Sequence, residues 1–567
     1  MIAEELEKKI REALDKLNIS VEEISLEHPT ELSHGDYSTN AALVAAKESG
    51  KNPKELAEEI VKNIESGENI SKVEVAGPGF INFYLSNKFF AESIKEILSS
   101  GENWGRNKSL SGKKIIVEYT DPNPFKEFHI GHLMSNAVGE SISRLMEFSG
   151  AVVKRANYEG DVGLHVAKAA WGLSKAGGDT SSIKALGEAY ANGAASYEED
   201  ESAKKEIDEI NKVIYGSSDS EINKLYESGR TTSLKYFEEI YGKLGTKFDY
   251  YFFESEVGDK GKEIVEENKN IFEESDGAVV YRGEEEGLHT RVFINSQGLP
   301  TYEAKELGLA FIKRDECPVR ENSWEEAKKT EPFPYDLSFV ITGNEIVGYF
   351  KVLLSALSKI APELSEKTVH IPHGMMRLQT GKMSSRTGDV ITGEALLNEV
   401  EGRVKDKMKD SGVELNEETS EQVSVGAVKY SVLRQSSHKD IIFDLEKSLS
   451  FEGDSGPYLQ YTNARALSVL AKSNKEEKVS DDVEASILEK LLYRFPEVVE
   501  RATELNEPHY VTTYLTELAG AFNSWYGNVH ILDGTEDEGH KLALTRAVSE
   551  TLKNGLWVLG IKAPERM

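Results

Sequence analysis

Apolar residues along the chain alternate between helix-type and strand-type spacing. Near the start, Leu6, Ile10 and Leu14 recur every fourth position, which is typical of an amphipathic helix. A second helical stretch runs through "PKELAEEIVKNI", and "SKVEVAGPGFINFYLS" then alternates like a strand. A polar, glycine-containing stretch follows near residues 99–114. The pattern therefore predicts a compact α+β module over residues 1–105.

The next segment has the pattern of a βαβ unit. "KKIIVEYT" is a short apolar run of the buried-strand type, and "DPNP" interrupts it. A helix-compatible stretch from Gly131 to Phe148 follows, and "AVVKRANY" supplies another strand. Such a unit opens a parallel, Rossmann-like sheet, whose ligands bind at the carboxyl ends of the strands. We expect this α/β domain to occupy residues 106–395.

Two further regions have a largely helical pattern. From about 176 to 290 the sequence is charged and helical, without apolar strands before "VFINSQGL", and we interpret it as an insertion. "YDLSFVITGNEIVGYFKVLLSAL" resumes the α/β pattern, and residues 396–567 are expected to be wholly helical. The predicted fold class is therefore multidomain α/β: a Rossmann-like parallel-sheet domain with a helical insertion, an N-terminal α+β module and an all-α C-terminal region.

Composition narrows the classes of protein. No apolar run approaches the roughly 18 residues of a membrane span, and the first residues lack the apolar core of a signal peptide, so we expect a cytoplasmic protein. Cys317 is the only cysteine, which excludes disulfides within the chain and a cysteine-ligated zinc site. A formal net charge of -31 argues against a general nucleic-acid binder, but a locally basic groove would still bind one polyanion of matching shape.

The stretch "DPNPFKEFHIGHLMSN" contains His129 and His132 around Gly131, with Lys126 just upstream. A zinc site lacks a nearby cysteine cluster or completing carboxylate. The pair could instead cap a helix or lie in the core. A third interpretation has the helix N-terminus, the two imidazoles and Lys126 holding phosphate oxygens, while Gly131 lets a flat ring approach the backbone. This last arrangement would bind a nucleotide.

A second segment, "HGMMRLQTGKMSSRTGDV", contains Lys382, Ser384, Ser385 and Arg386 between glycines. The glycine spacing, and Met383 directly after the lysine, do not fit a Walker phosphate loop. Alone, such a cationic glycine loop could be an ordinary solvated turn. Together with the first segment, it is interpreted as a second phosphate clamp that closes over a pyrophosphate leaving group.

These two segments resemble a known family. "HIGH" at 129–132 and "KMSSR" at 382–386, in this order and separated by an insertion, resemble the two signatures of class I aminoacyl-tRNA synthetases. More narrowly, the whole chain resembles the arginyl-tRNA synthetases. The segments that carry the resemblance are "HGDYSTN", "AGPGFINFYLS", "DPNPFKEFHIGHLMSN", "GDVG", "TYEAKELG", "GKMSSRTG", "FDLEKSL", "PYLQYTNAR" and "KNGLWVLGIKAPERM".

The resemblance implies a set of catalytic and ATP-binding residues. His129 and His132 would bind the ATP phosphates and the transition state, with Gly131 against the adenine. Ser385 stands where the signature usually has a second lysine, and Lys126 resembles the lysine thought to compensate for it. The implied catalytic residues are Lys126, His129, His132 and Lys382, and the implied ATP-binding residues are His129, Gly131, His132, Met376, Lys382, Ser384 and Ser385.

The resemblance also implies an arginine pocket. Glu118, Tyr302 and Glu306 match positions that hold the guanidinium group, and Asn123 would bind the α-amino end. Relatives often have aspartate where Glu306 stands and serine where Asp121 stands, and Glu306 could alternatively be an ordinary surface acid of a helix.

The expected function is ligation of L-arginine to its tRNA through arginyl-adenylate, with Mg²⁺ accompanying ATP, no protein-bound metal and a monomeric enzyme. Alternatives are a class I synthetase for another amino acid and a catalytically inactive, synthetase-like RNA-binding protein. Aromatic residues among the implied tRNA contacts could equally belong to the core. The implied tRNA-binding residues are Phe80, Asn82, Tyr458, Tyr461, Arg465, Trp525, Tyr526 and Met567.

Overall fold

The structure, a computed structural model, describes residues 2–320, 324–379, 392–410 and 416–567. The chain divides into two compact units. The smaller unit comprises Met1–Trp104, Arg465–Pro496 and Glu517–Asn554. The larger unit comprises Gly105–Ala464, Glu497–Thr516 and Gly555–Met567. Within the described residues, no helix combines the length and the apolarity needed to cross a membrane.

The N-terminal part of the smaller unit is an α+β module. Helix α1 buries Leu6, Ile10 and Leu14, because their spacing places them on one face. A four-stranded antiparallel sheet in the order β1-β2-β4-β3 packs against the helices. The elements are α1 (Ile2–Lys16), β1 (Leu26–Glu27), β2 (Tyr37–Thr39), α2 (Ala41–Ser49), α3 (Pro53–Asn63), β3 (Ile70–Ala76), β4 (Phe80–Leu85) and α4 (Asn87–Ser100).

The larger unit is built on a five-stranded parallel sheet in the order β14-β13-β5-β6-β7. The predicted βαβ unit is confirmed, as β5, α5 and β6. The elements of the larger unit as far as β15 are β5 (Lys114–Glu118), α5 (Ile130–Phe148), β6 (Val152–Glu159), α6 (Leu164–Lys175), α7 (Ile183–Glu199), α8 (Glu201–Gly216), α9 (Ser220–Leu244), β7 (Tyr250–Phe253), α10 (Glu254–Glu267), β8 (Glu273–Ser275), β9 (Ala278–Tyr281), β10 (Arg291–Ile294), α11 (Tyr302–Asp315), β11 (Cys317–Val319), β12 (Lys329–Glu331), β13 (Leu337–Gly343), α12 (Val347–Ile360), α13 (Pro362–Lys367), β14 (Thr368–His373) and β15 (Met376–Leu378).

The prediction that residues 176–290 contain no strands is wrong. The helical part ends with α9 at Leu244, and β7 then joins the parallel sheet beside β6. Strands β8 and β9 pair with each other in the same stretch, in a three-stranded sheet with β10. Strand β7 has only four residues and follows a long charged helix, so its apolar run is too short to stand out.

In the last part of the chain, the described residues form helices and one short strand. Strand β16 (Ile441–Phe443) pairs in parallel with β15, so the expectation of a wholly helical region is wrong at this point. The helices are α14 (Gly393–Asp410), α15 (Glu417–Leu433), α16 (Leu445–Ser448), α17 (Gly456–Leu470), α18 (Ile487–Leu492), α19 (Phe495–Leu505), α20 (His509–Asn528) and α21 (Glu538–Val558).

Helix α5 lies directly against the residue that follows β5. At Gly139, an added Cβ atom would lie 2.2 Å from Cγ of the Tyr119 ring, so a side chain at this position would push the helix away. The Tyr119 hydroxyl donates to Glu140 on the same helix at 2.5 Å. This close packing fixes the middle of α5 relative to the carboxyl end of β5.

Candidate active site

The segment between β5 and α5 has an unusual backbone. Thr120, Asp121 and Phe125 have φ angles of 84°, 48° and 68°. These angles lie in the left-handed region, which residues with a Cβ atom rarely adopt. Hydroxyl groups hold this left-handed segment: Ser135 Oγ accepts from the Thr120 amide at 2.9 Å, and Ser233 Oγ accepts from the Phe125 amide at 2.9 Å. Helices α5 and α9 thus stabilise a conformation that local sequence preferences oppose.

His129 and His132 form the N-terminal cap of α5. The backbone amide of Gly131 donates to His129 Nδ1 at 3.1 Å, and the amide of His129 donates to His132 Nδ1 at 3.3 Å. Because each Nδ1 accepts a hydrogen bond, each neutral ring bears its proton on Nε2. The rings stack with centroids 3.5 Å apart. The capping interpretation and the phosphate interpretation are therefore compatible, since the cap uses the Nδ1 atoms and neither Nε2–H donor.

The electrostatic environment keeps both rings neutral. Burial lowers the pKa of His129, and the charge of Lys126 lowers it further. Burial lowers the pKa of His132 well below its ordinary value, with contributions from His129 and Lys126. Lys126 Nζ itself lies 4.5 Å from the centroid of the Tyr190 ring on α7. A lysine and two neutral imidazole donors thus meet at the start of α5.

The second predicted phosphate segment falls in residues 380–391, so Lys382, Ser384 and Ser385 lie outside the described residues. The residues on either side of it are described. Met376 is buried in β15. Thr392 forms an antiparallel bridge with His129, and the Gly393 amide donates to the Phe128 carbonyl at 2.6 Å. The chain after this segment therefore returns to the histidine pair.

The predicted arginine residues Glu118 and Glu306 lie in a cluster of ionisable groups. Glu118, at the end of β5, is 1% exposed, and its Oε2 lies 2.6 Å from Nζ of the buried Lys313 on α11. Burial and the charge of Glu118 raise the pKa of Glu306 to about 8. The same two causes raise the pKa of Asp121. The cluster is therefore rich in carboxyl groups and contains one internal cation.

The sequence places Lys313 on the same helix as Glu306 but does not predict that Lys313 is buried against Glu118. It follows Glu306 by seven residues, two turns of helix, and so lies on the same face of α11. A lysine near the end of a helix with charged neighbours is usually solvated, so the sequence does not indicate that Lys313 is buried.

A second buried pair lies beside the first. Lys305 Nζ is 2.5 Å from Glu254 Oε2, and it lies 5.4 Å from the ring centroid of Tyr302. Tyr302 begins α11 and is 56% exposed, so its ring is available to a ligand. Asn123 lies next to Gly160, where an added Cβ atom would be 2.5 Å from Asn123 Oδ1. The structure thus places Asn123 at a point where only glycine leaves it room.

The residues that the resemblance assigns to tRNA differ in accessibility. In the smaller unit, Phe80 is 39% exposed, whereas Asn82 is buried and its Oδ1 accepts from Ser38 Oγ at 2.8 Å. The burial of Asn82 argues against direct contact with a base and favours a role in holding β2 to β4. Arg465 lies 5.1 Å from the exposed ring of Tyr526.

The other assigned residues are mostly half-buried. Trp525 packs partly buried against a small cluster around Val469. In the larger unit, the Tyr461 ring lies 5.8 Å from the Phe451 ring, and Tyr458 and Met567 are half-buried. These rings have apolar or aromatic neighbours, so any base contact would use only part of their surface.

Metal ligands are sparse in the described part of the chain, where no group of three or more His, Cys, Asp or Glu side chains is arranged to hold an ion. The single cysteine, Cys317, is buried, and its Sγ donates to the Lys313 carbonyl at 3.0 Å. Burial also raises the pKa of its thiol to about 12.

A parallel sheet with a histidine-capped helix at the carboxyl end of its central strand is the arrangement of class I aminoacyl-tRNA synthetases. Residues 93–445 match the family model described as tRNA synthetases class I (R), catalytic domain. Residues 4–85 match the arginyl tRNA synthetase N terminal domain, and residues 459–567 match the DALR anticodon binding domain. The chain belongs to the arginyl-tRNA synthetase family, as its sequence predicts.

Individual relatives agree with this assignment. The chain is 33% identical to the arginine–tRNA ligase of Halothermothrix orenii, over 100% of this chain and 99% of the relative. It is 33% identical to that of Lactococcus lactis, over 97% of each chain. Among solved structures, the arginyl-tRNA synthetase of Thermus thermophilus superposes with a TM-score of 0.82 at 26% identity, covering 100% of both chains. The predicted fold class is confirmed.

Proposed function

We propose that this chain joins L-arginine to tRNA in two steps at the carboxyl end of β5. In the first step, a carboxylate oxygen of arginine attacks the α-phosphorus of ATP, and pyrophosphate leaves. In the second step, a hydroxyl of the 3′-terminal adenosine of tRNA attacks the arginyl carbonyl carbon, and AMP leaves. The observation that supports this most is the carboxyl-rich cluster of Glu118 and Glu306 at the carboxyl end of β5, the strand whose following segment leads to the histidine-capped start of α5.

Adenylate formation needs positive charge and hydrogen-bond donors near the phosphates, because negative charge moves onto the leaving pyrophosphate. We assign the Nε2–H groups of His129 and His132 and the ammonium group of Lys126 to this task. Neutral imidazoles donate without adding repulsion to the nearby lysine. The family resemblance adds Lys382, Ser384 and Ser385 from the second segment, and Met376 and Gly131 beside the nucleoside.

Mg²⁺ is assigned to the ATP rather than to the protein. The ion would neutralise phosphate charge on the nucleotide. Residues of this chain would then act on the remaining phosphate oxygens, by donation from His129, His132 and Lys126.

Arginine is recognised by charge and shape. Glu306 and Glu118 face the guanidinium group, and Tyr302 offers an exposed ring against its plane. Asn123 is assigned to the α-amino end. Lys313 forms an ion pair with one oxygen of Glu118. Glu306 is therefore the carboxyl group whose ionisation arginine most directly changes.

The remaining assignments concern tRNA and the state of the enzyme. We assign residues 1–105 and 396–567 to tRNA contact, with Phe80 and Tyr526 as the exposed members of the set and Arg465 beside the Tyr526 ring. The catalytic domain is assigned to residues 106–395. A monomer in the cytoplasm is proposed, and light scattering after size-exclusion chromatography tests the oligomeric state.

Aminoacylation of total tRNA with each of the twenty amino acids, with and without ATP, tests the function. We expect charging with arginine alone, and only when ATP is present. Citrulline is the matched control, because it has the shape of arginine without the positive charge. Charging with lysine at a comparable rate, or no charging with any amino acid, would contradict the proposal.

A further inference from the structure

Helix α7 of the insertion brings an aromatic ring to Lys126. The Nζ atom lies 4.5 Å from the centroid of the Tyr190 ring, within the range of a cation–π contact. Both side chains are half-buried, so the contact is partly shielded from water, which strengthens it.

While its ammonium group contacts the Tyr190 ring, Lys126 also faces the proposed phosphate site at the start of α5. Its charge contributes to the lowered pKa values of His129, His132 and His165. The first two rings are the proposed phosphate donors of α5. The ammonium group therefore lies near the helix start while it contacts Tyr190.

A second pair repeats this arrangement. Tyr215, on α8 of the insertion, lies with its ring centroid 5.6 Å from Nζ of Lys305, whose partner is Glu254. Two helices of the insertion thus each supply a tyrosine ring to a lysine of the larger unit.

We propose that Tyr190 is a positioning residue for adenylate formation: it restricts Lys126 to conformations in which Nζ points at the departing pyrophosphate. This inference rests on the proposed function of Lys126. A lysine side chain has many rotamers, and ordering it at the moment of reaction is costly. A ring that holds the ammonium group before the reaction reduces this cost. Unlike a carboxylate, the ring does not neutralise the charge of the lysine.

The test compares Tyr190→Leu, which removes the ring, with Tyr190→Phe, which keeps the ring and loses the hydroxyl. Tyr197→Leu is the matched control: it lies on the same helix, and its ring lies 4.2 Å from Lys168 Nζ. Single-turnover formation of arginyl-adenylate, with tRNA bound, is measured over a range of ATP concentrations. Steady-state aminoacylation gives KM for arginine.

For Tyr190→Leu we expect the second-order rate constant of adenylate formation with ATP, taken from the single-turnover data, to fall by roughly 3- to 30-fold, the range of a partly desolvated cation–π contact. KM for arginine should stay within about twofold. Tyr190→Phe and Tyr197→Leu should both remain close to the wild type. If Phe is as defective as Leu, or if Tyr197→Leu is equally defective, the positioning role is overturned. Tyr190→Met serves as a second variant should leucine impair folding.

A double-mutant cycle separates this inference from the proposed function. Lys126→Ala alone should be strongly impaired, and adding Tyr190→Leu to it should cause no further loss. A fully active Lys126→Ala would refute the proposed role of Lys126 and the inference with it. An impaired Lys126→Ala that loses as much again with Tyr190→Leu would leave the role of Lys126 intact and refute only the role of Tyr190.

Discussion

The ionisation of Glu306 predicts how arginine binding depends on pH. Burial and the neighbouring Glu118 raise the pKa of Glu306 to about 8, so the free enzyme holds a proton on this carboxyl at neutral pH. Arginine brings a permanent positive charge and needs the ionised form. At the proposed arginine site, about nine in ten binding events at pH 7 must therefore expel a proton.

The size of the effect follows from that pKa. With a value of about 8, roughly 9% of the free enzyme is ionised at Glu306 at pH 7 and about 91% at pH 9. The apparent dissociation constant equals the intrinsic constant divided by the ionised fraction, so affinity should rise about tenfold between pH 7 and pH 9. Above pH 9 the gain should level off, because the group is already ionised.

Isothermal titration calorimetry measures both parts of this prediction. Titrations of arginine in two buffers with different ionisation enthalpies should show the release of about 0.9 proton at pH 7 and about 0.1 at pH 9. Glu306→Gln is the control, because arginine's own α-amino group titrates equally in both proteins. The difference between the two proteins isolates Glu306. A pH dependence that is identical in both, or binding at pH 7 without proton release, would refute the reasoning.

Three further predictions concern other parts of the molecule. His132→Ala should lower the aminoacylation rate by roughly 100-fold while filter binding shows unchanged tRNA affinity, since the Nε2–H donor that is lost acts on the phosphates of ATP and not on tRNA; an equal loss in both would contradict this role. Glu118→Gln should raise KM for arginine far more than KM for ATP. It should also destabilise the fold by roughly 3 kcal/mol in urea unfolding, because Lys313 is left unpaired. The double variant Glu118→Gln/Lys313→Met should recover the lost stability, but its KM for arginine should stay raised. Affinity for tRNA should fall steeply with salt despite the charge of -31, and a flat response would mean that the contact surface is not basic.

The sequence predicted the parts of the fold whose patterns are local. Strand β5, helix α5 and strand β6 each show a clear apolar period, and the βαβ order follows from them. Strand β7 was missed because its partner, β6, is distant in sequence, and four apolar residues after a charged helix give little signal. Strand β16 was missed for the same reason, since only pairing with β15 defines it.

Site residues follow a similar division. The histidine pair and Lys126 lie within one short segment, so their association could be inferred from spacing. Lys313 could not be recognised as a partner of Glu118, because the two residues meet only when α11 packs on the sheet. The contact of Tyr190 with Lys126 could likewise not be recognised, since an aromatic residue at helical spacing is usually part of a core. Tertiary packing, rather than local preference, determines these contacts.

The left-handed segment after β5 has a practical consequence for following the enzyme in solution. The amides of Thr120 and Phe125 donate to the hydroxyls of Ser135 and Ser233, on two different helices, rather than to backbone carbonyls. Their exchange with deuterium therefore depends on two separate side-chain contacts, not on the breathing of a strand or helix. Thr120 would report on the attachment of α5, and Phe125 on that of α9. The free enzyme thus contains two neighbouring natural probes that distinguish motion of the histidine-bearing helix from motion of the insertion.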